Sequence, residues 1–192
     1  MSESVAEKSA TIANLLAAYE GESNAHAKYL VFSAKADVEG WHGAASLFRA
    51  ASRAEQIHAA NHARVLKQLG GDARCEIHSV HVKSTLENLK DAMAGEQYEI
   101  DTMYPGFIAE AAATEVASAK RSFFWAMEAE KTHARLYQEA IGLVEKGLRD
   151  SWVGTACSFY VCAACGYTSM TEEEQARCPV CNLASDKFEV IR

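Results

Sequence analysis

The sequence has little proline and no long apolar run, and both absences restrict its fold. Only two prolines, Pro105 and Pro179, occur in 192 residues, so long helices can run uninterrupted over most of the chain. No apolar stretch reaches the roughly 18 residues that indicate a membrane span. Long segments are instead rich in Ala, Leu, Glu and Lys, which favours a mainly α-helical globular protein.

The sequence also lacks an excess of basic residues, a secretory signal and a nucleotide-binding motif. A formal net charge of −7 argues against nucleic acid or an anionic membrane as the partner. Residues 1–4 have neither the basic start nor the apolar run of a signal peptide, so we expect a cytoplasmic protein. Six cysteines in such a chain indicate metal or redox chemistry rather than disulfides. No Gly-x-Gly-x-x-Gly sequence is present to bind a nucleotide.

Apolar spacing and cap residues divide the first 147 residues into four helices. We expect them over residues 9–37, 44–69, 84–103 and 114–147. Ser84 opens a capping box with Glu87 at the start of the third helix, and Pro105 either kinks that helix or ends its regular part. Thr114 is the expected cap of the fourth helix. Four long helices with short connections predict an antiparallel bundle.

Two Glu-x-x-His motifs stand out within these helices, one from Glu55 to His58 and the other from Glu130 to His133. Residues three apart lie on one face of a helix. Each motif therefore directs a carboxylate and an imidazole at the same point. Two such helices facing each other could hold two metal ions.

The two motifs belong to an internal repeat. A Gly-Glu pair precedes each motif by 33 or 34 residues, with Glu22 on the first helix and Glu96 on the third. Glu20 is the alternative to Glu22, but the preceding glycine and the apolar neighbours on the same face favour Glu22. The second half adds Glu99, where the first half has Ala25.

The repeated carboxylates lie among apolar residues that are expected to form the core. Five glutamates are involved: Glu22, Glu55, Glu96, Glu99 and Glu130. Ionised and unpaired, each would cost several kcal/mol in a bundle interior, so either they face water or a cation lies between them. One Glu from each of two helices and Glu-x-x-His from each of the other two is the arrangement of ferritin-like carboxylate proteins. Oxygen ligands with one imidazole per ion favour iron or manganese. Of the remaining histidines only His62, one turn after His58, is a further candidate.

The C-terminal segment has a different character, because it contains two Cys-x-x-Cys pairs separated by twelve residues. The four cysteines are Cys162, Cys165, Cys178 and Cys181. Four thiolates can bind one tetrahedral metal, which such a small module needs in order to fold. Zinc would make it a structural ribbon and iron an electron carrier; the short separation favours iron. Gly166 and Asn182 suit left-handed turns beside the sulfur atoms. Cys75 and Cys157 lie outside the pattern and are expected to be ordinary thiols.

In this order and combination, the motifs resemble the rubrerythrin family over essentially the whole chain. The matching segments are 21–23 with Tyr29, 55–58, 95–99 with 103–105, 130–133, and the rubredoxin-like 162–167 and 178–181. The resemblance implies a mainly α fold in which an antiparallel ferritin-like four-helix bundle carries a small, β-containing rubredoxin-like domain at its C-terminus. The implied boundaries are 1–147 for the diiron bundle, 148–156 for a linker and 157–192 for the four-cysteine iron domain.

The resemblance also implies a role for each candidate residue. One iron would be bound by Glu22, Glu55 and either Glu99 or His58, and the other by Glu96, Glu130 and His133, with Glu55 and Glu130 bridging. The first iron would exchange Glu99 for His58 on reduction. Tyr29 and Tyr104 would donate hydrogen bonds to ligand carboxylates; the alternative is that both are ordinary core tyrosines.

The function implied by the resemblance is a non-haem diiron peroxidase that protects against oxidative stress. It would reduce hydrogen peroxide to water, with electrons relayed through the four-cysteine iron from an external rubredoxin or NAD(P)H-dependent reductase. Two other functions fit the motifs less well. One is a ferroxidase that uses dioxygen and handles iron, and the other is a non-catalytic, metal-stabilised binding module with a structural zinc ribbon.

The position of the cysteines along the chain raises a question of distance. From His133 to Gly147 is about 21 Å of helix, so we expect the small domain to leave the bundle far from the metal pair. Either the linker folds back, or another subunit presents its four-cysteine iron. The resemblance favours a homodimer or a higher homo-oligomer.

Overall fold

The first helical hairpin is formed by α1 (Glu3–Val38) and α2 (His42–Gln68), which contact each other along much of their length. The computed structural model describes residues 3–171 and 176–192. Gly40 joins the two helices at a φ of +75°, a left-handed conformation that glycine adopts at no steric cost. α1 begins six residues before the predicted start at Ser9, and α2 matches its prediction to within two residues. Within the described ranges, no helix combines the length and apolarity needed to cross a membrane.

The second hairpin pairs an interrupted third helix with α5 (Ala117–Glu145). The interrupted helix consists of α3 (Thr85–Tyr98), a π-helical turn (Glu99–Met103) and α4 (Tyr104–Ala113). The predicted capping box is confirmed, because the Ser84 hydroxyl accepts from the Glu87 N–H and the Glu87 carboxylate accepts from the Ser84 N–H. The mainly α bundle predicted from the sequence is therefore the observed architecture.

Two details of the third and fourth helices differ from prediction. The regular α-helix ends at Tyr98 and not at Met103, because a π-turn, which holds one extra residue per turn, precedes Pro105. Pro105 then lies in the first turn of α4, directly after the π-turn. Thr114 does not cap α5, which follows Val116. Its hydroxyl instead bonds Thr11 and the carbonyl of Glu110 at the end of α4.

The interior of the bundle contains two apolar clusters. One is built around Phe48 and Tyr137 and the other around Leu15 and Phe123, and all four side chains are fully buried. Burying each such side chain contributes about 1.5–3 kcal/mol. The repeated glutamates fall between the two clusters along every helix. Packing on both sides thus fixes the height at which these carboxylates meet.

After α5 the chain folds back along α2. The N–H groups of Gly43 and Ala44 both donate to the carbonyl of Val153, at 2.9 and 3.0 Å, and Val153 is buried in the Phe48 cluster. Of the two alternatives that the sequence left open, the structure has the one in which the linker folds back along the bundle. The linker is held there by two backbone hydrogen bonds and by the buried side chain of Val153.

The small domain contains a three-stranded antiparallel sheet in the order β2-β1-β3. The strands are β1 (Phe159–Cys162), β2 (Thr168–Ser169) and β3 (Phe188–Ile191). Tyr160 on the central strand pairs with Ser169 on one side and with Val190 on the other. The sheet is fastened to α2 by Arg53, whose guanidinium donates to both carboxylate oxygens of Glu189 at 2.6 and 2.7 Å. Such a bidentate pair fixes orientation as well as contact.

Replacing Gly43 should release the small domain from the bundle. A β-carbon at this position would lie 1.7 Å from the carbonyl oxygen of Trp152, so Gly43→Ala must displace the linker. We expect a loss of about 1–3 kcal/mol in unfolding free energy, as for other overpacked sites. We also expect faster limited proteolysis within residues 148–158, which mass spectrometry of the fragments over time would measure.

Gly142→Ala on α5 is the matched control, because nothing lies within 4 Å of its β-carbon. It should leave the linker protected and stabilise the protein by about 0.5–1 kcal/mol. Equal protection of the linker in both variants would contradict the docking described here.

Candidate metal centre

Six ligand-type side chains meet in the middle of the bundle because each lies on the inner face of its helix. Glu22 comes from α1, Glu55 and His58 from α2, Glu96 from α3, and Glu130 and His133 from α5. Each is at most 1% exposed. By contrast, Glu20 is exposed. Four carboxylates without access to water require positive charge or hydrogen-bond donors nearby.

The six side chains form two groups, each with ligand atoms within 4.8 Å of one another. One group contains Glu22, Glu55, His58 and Glu130, and the other contains Glu55, Glu96, Glu130 and His133. Glu55 and Glu130 belong to both. The arrangement therefore offers two adjacent cation sites that share two carboxylates.

The unsatisfied atoms of the cluster show that a cation pair fits it. Among the described side chains, six of the seven buried polar atoms without a hydrogen-bond partner belong to this cluster, including both carboxylate oxygens of Glu55. His58 Nδ1 lies 2.9 Å from Glu55 Oε2 and 2.9 Å from Glu130 Oε1, without the alignment of a hydrogen bond. Leaving such atoms unsatisfied costs about 1–3 kcal/mol each, and more for charged groups. Divalent cations would satisfy them all.

Two buried tyrosines each occupy one oxygen of a carboxylate. The Tyr29 hydroxyl donates to Glu96 Oε1 at 2.7 Å, and the Tyr104 hydroxyl donates to Glu22 Oε1. The second oxygen of each carboxylate has no hydrogen-bond partner. Glu22 and Glu96 are thus prepared to offer one oxygen each, whereas Glu55 has both oxygens free to bridge.

The two histidines are oriented by the small domain. His58 Nε2 lies 3.0 Å from the carbonyl oxygen of Cys165, and His133 Nε2 lies 3.0 Å from Thr168 Oγ1. Thr168 donates its own proton to the carbonyl of Gly166, so it accepts from His133. Both rings therefore carry a proton on Nε2 and direct Nδ1 into the cluster, the atom through which each would bind a metal. Without metal, His133 Nδ1 donates to Glu130 Oε2 at 2.7 Å.

Neither of these orienting contacts is visible in the sequence. Thr168 and the carbonyl of Cys165 act through the way two domains dock, and no spacing pattern marks them. Gly166 gives a partial signal, because it adopts a φ of +78°. A β-carbon there would also lie 2.3 Å from His58 Nε2, so only glycine allows this approach.

Glu99 lies outside both groups. It is the first residue of the π-turn and is only partly buried. It lines a cavity of about 350 Å³ together with Tyr29, Lys28 and the exposed His78. Burial, followed by the charges of Glu22 and Glu130, raises its pKa well above the ordinary value. Of the two alternative ligands, the structure brings His58 to the cluster and leaves Glu99 on the cavity side.

The charges within the cluster are strongly interdependent. Burial and then Glu130 raise the pKa of Glu55, and the same two causes raise the pKa of Glu96 to about 8. Burial also opposes ionisation of Glu130, but His58 and His133 outweigh it and lower its pKa. The pKa values of both histidines are raised against their burial, mainly by Glu130. Without metal, protons on these groups balance the negative charge that cations would otherwise balance.

The four cysteines of the small domain form a second site. The Sγ atoms of Cys162 and Cys181 are 3.5 Å apart, as are those of Cys165 and Cys178, close to the spacing of about 3.7 Å for thiolates around one tetrahedral ion. Both predicted left-handed residues are confirmed, with a φ of +78° at Gly166 and +63° at Asn182. These turns bring backbone N–H groups to the sulfur atoms, including that of Tyr167 to Cys165.

The remaining candidates belong to neither group of ligand-type side chains. Cys75 and Cys157 are free thiols outside the four-cysteine group. His62 is fully buried but belongs to neither carboxylate group. It bridges two hydroxyl groups, those of Ser122 and Tyr104.

Comparisons with known proteins agree with this geometry. Residues 13–141 match the family profile named Rubrerythrin, and residues 160–189 match that of the rubrerythrin rubredoxin-like domain. Rubrerythrin-2 of Clostridium acetobutylicum is 37% identical over 96% of this chain and 98% of its own length. Nigerythrin of Nitratidesulfovibrio vulgaris is 34% identical over 93% of this chain and 85% of its own length. A solved structure described as fully reduced, all-ferrous nigerythrin superposes with a TM-score of 0.82 at 32% identity, covering 94% of this chain and 86% of that one.

Removing the metals should make stability fall as pH rises. Glu55, Glu96, His58 and His133 all have raised pKa values in the fold. The folded state therefore binds more protons than the unfolded state, and this stabilisation is lost as pH rises from about 4.5 through about 8, by about 1.4 kcal/mol per pH unit for each proton released. The lowered pKa of Glu130 acts in the opposite sense, but its effect is complete above the ordinary carboxyl range.

Thermal unfolding of chelator-treated protein at pH 5 to 8, followed by circular dichroism, measures this slope. The metal-loaded protein should show a flatter profile, and Glu96→Gln should reduce the slope of the metal-free protein. A Tm that rises with pH in the metal-free protein would show that the cluster is not protonated in this way.

Proposed function

Because the chain belongs to the rubrerythrin family, we propose that it reduces hydrogen peroxide to water and so protects against oxidative stress. The bundle contains a diiron carboxylate site and the small domain a rubredoxin-like four-cysteine site. Reducing one peroxide molecule to two water molecules takes two electrons and two protons. The observation that carries the proposal is the direct contact between these two sites within one chain.

That contact is a single hydrogen bond. His58, in one carboxylate group, donates its Nε2 proton to the carbonyl oxygen of Cys165, one of the four cysteines. Asn61, one turn further along α2, donates to the neighbouring carbonyl of Ala164 at 2.8 Å. The cysteine site therefore lies within one residue and one hydrogen bond of the carboxylate site, which supports a relay of electrons from the small domain into the bundle.

The two sites supply complementary chemistry. When bound, a ferrous pair provides two electrons together to an O–O bond, and a four-cysteine iron carries one electron at a time. The chain keeps bulk water away from the carboxylates, since all six ligand-type side chains are at most 1% exposed. The cavity beside Glu99 provides the route by which a small substrate enters.

His58 and Glu99 are proposed as alternative ligands. The proposal is supported by the positions of the two side chains, since His58 lies beside Glu22 and Glu55 and Glu99 lines the cavity. Glu99 stands at the start of the π-turn, where the backbone departs from regular helical geometry. The proposed exchange would move the Glu99 side chain from the cavity into the cluster.

Electrons for turnover are proposed to come from an external rubredoxin or NAD(P)H-dependent reductase. A rubredoxin-like domain implies electron transfer, and the sequence contains no dinucleotide-binding glycine motif of its own. A homodimer or higher oligomer remains our proposal for the assembly, but the contact from His58 to Cys165 means that the relay does not require one.

Loss of one cysteine should separate the two halves of the reaction. Chemically reduced Cys162→Ser protein should still be oxidised once by peroxide, because the carboxylate cluster is intact. It should lose turnover with NADH and an added reductase, because electrons no longer reach the bundle. Stopped-flow oxidation and steady-state NADH consumption measure the two quantities.

Cys157→Ser is the matched control and should retain turnover, since Cys157 is outside the cysteine site. Unchanged turnover in Cys162→Ser would refute the relay. Faster oxidation by dioxygen than by peroxide would support the ferroxidase alternative.

Mixing Cys162→Ser with a variant lacking Glu55 should restore no activity if electrons move within one chain; restored activity in mixed dimers would place the relay between subunits.

The position of His58 should depend on redox state. In the reduced protein we expect His58 Nδ1 at the iron and Glu99 in the cavity, and in the oxidised protein the reverse. Crystal structures of both states from the same crystal form measure the two distances. An identical distance from His58 to iron in both states would refute the exchange.

A further inference from the structure

The internal repeat places two different residues behind the two tyrosines of the metal centre. His62 follows Glu55 by seven residues, and Tyr137 follows Glu130 by seven. His62 packs beside Tyr104 with ring centroids 6.1 Å apart, and Tyr137 packs beside Tyr29 at 5.9 Å. His62 and Tyr137 thus occupy equivalent positions in the repeat but offer different hydrogen-bonding groups to the tyrosines beside them.

A second pair of equivalent positions in the repeat also holds different residues. Ser122 lies eight residues before Glu130, and its counterpart eight residues before Glu55 is the apolar Leu47. Ser122 Oγ is 2.8 Å from His62 Nδ1, and both side chains are buried. A continuous chain of polar side chains therefore leads to Glu22, through Ser122, His62 and Tyr104. On the Glu96 side, the position equivalent to Ser122 holds the apolar Leu47.

The proton positions in this chain follow from its two ends. Tyr104 has one hydroxyl proton and donates it to Glu22 Oε1. Its oxygen can therefore only accept from His62 Nε2, 3.2 Å away. His62 is fully buried, and its nearest carboxylate oxygen, Glu22 Oε1, is 3.9 Å away, beyond hydrogen-bonding distance. A buried ring without a carboxylate partner is neutral, so its Nδ1 carries a lone pair. The hydroxyl of Ser122 is the donor to that lone pair.

We propose that Ser122 and His62 are positioning residues that hold the hydroxyl proton of Tyr104 on Glu22. If His62 carried its proton on Nδ1 instead, the Nε2 lone pair would face the Tyr104 hydroxyl and compete with Glu22 for its proton. Ser122 prevents this by donating to Nδ1. The hydrogen bonds and the burial of His62 define the proton positions; the proposed function enters only in treating Glu22 as a metal ligand.

This arrangement matters most at the site where a ligand is proposed to change. Glu22 belongs to the same carboxylate group as His58, and its Oε2 lies 3.6 Å from His58 Nδ1. With Oε1 held by Tyr104, only Oε2 faces the cluster, so Glu22 keeps its orientation while His58 and Glu99 exchange. The Glu96 side has no exchanging ligand and has no histidine behind its tyrosine.

The ring nitrogens of His62 provide the direct test. Long-range ¹H–¹⁵N NMR spectra of the full-length chain loaded with diamagnetic zinc would report the tautomer of each histidine, and His62→Gln would identify the His62 signals. We expect the Nε2–H tautomer of His62 in the parent protein. Ser122→Ala should shift part of the population to the Nδ1–H tautomer, and Ser122→Thr, which keeps the hydroxyl, should retain the parent spectrum.

Iron binding gives a second readout in the same variants. Ser122→Ala should weaken one of the two bundle sites up to about tenfold, at the low end of the effect of groups that orient ligands. Ser118→Ala, one turn earlier on α5, should leave both sites unchanged. Parent-like ring shifts in Ser122→Ala, or a Ser122→Thr protein that folds but has the shifts of the alanine variant, would overturn the proposal. Because the ring shifts do not require turnover, a chain that failed to reduce peroxide would refute the proposed function and leave this inference standing.

Discussion

The constraint that organises this molecule is the burial of four glutamates at one level of a helical bundle. Carboxylates this close repel one another, and burial deprives them of the water that would otherwise solvate them. Hydrogen-bond donors and cation sites in the surrounding structure offset both effects. Tyr29 and Tyr104 donate to the two terminal carboxylates, two histidines lie beside Glu130, and the unpaired oxygens converge where cations fit. Apolar clusters along the helices on both sides fix the level at which all of this happens.

The small domain also helps to set the geometry of the carboxylate site. His58 and His133 direct one nitrogen into the cluster because the other donates to Cys165 and Thr168 of the C-terminal domain. The geometry of the bundle site therefore depends on a segment more than 100 residues away from His58 in sequence. The bidentate pair of Arg53 with Glu189 and the two hydrogen bonds to Val153 maintain that dependence. One docking surface thus both shapes the bundle site and connects it to the cysteines.

The parts of the structure that could be predicted are those set by local chemistry. Helical periodicity, the capping box at Ser84 and the repeated motifs indicate the bundle and its inward-facing carboxylates, because each signal lies within a few turns of one helix. Thr114 was misassigned because a threonine near a helix boundary can bond either helix, and packing against Thr11 decides between them. The return of the linker along α2 and the role of Thr168 depend on contacts between distant segments, for which one sequence carries no pattern.

The π-turn offers a view of how such a protein could arise. Tyr29 follows Glu22 by seven residues, whereas Tyr104 follows Glu96 by eight, yet both tyrosines reach the carboxylate of the opposite half. The π-turn between Glu96 and Tyr104 accommodates the additional residue. If the two hairpins descend from one duplicated ancestor, a single inserted codon in one copy accounts for this difference in spacing, while both tyrosine contacts are kept. A helix can absorb such an insertion in one step, because the π-turn confines the extra residue to a single turn.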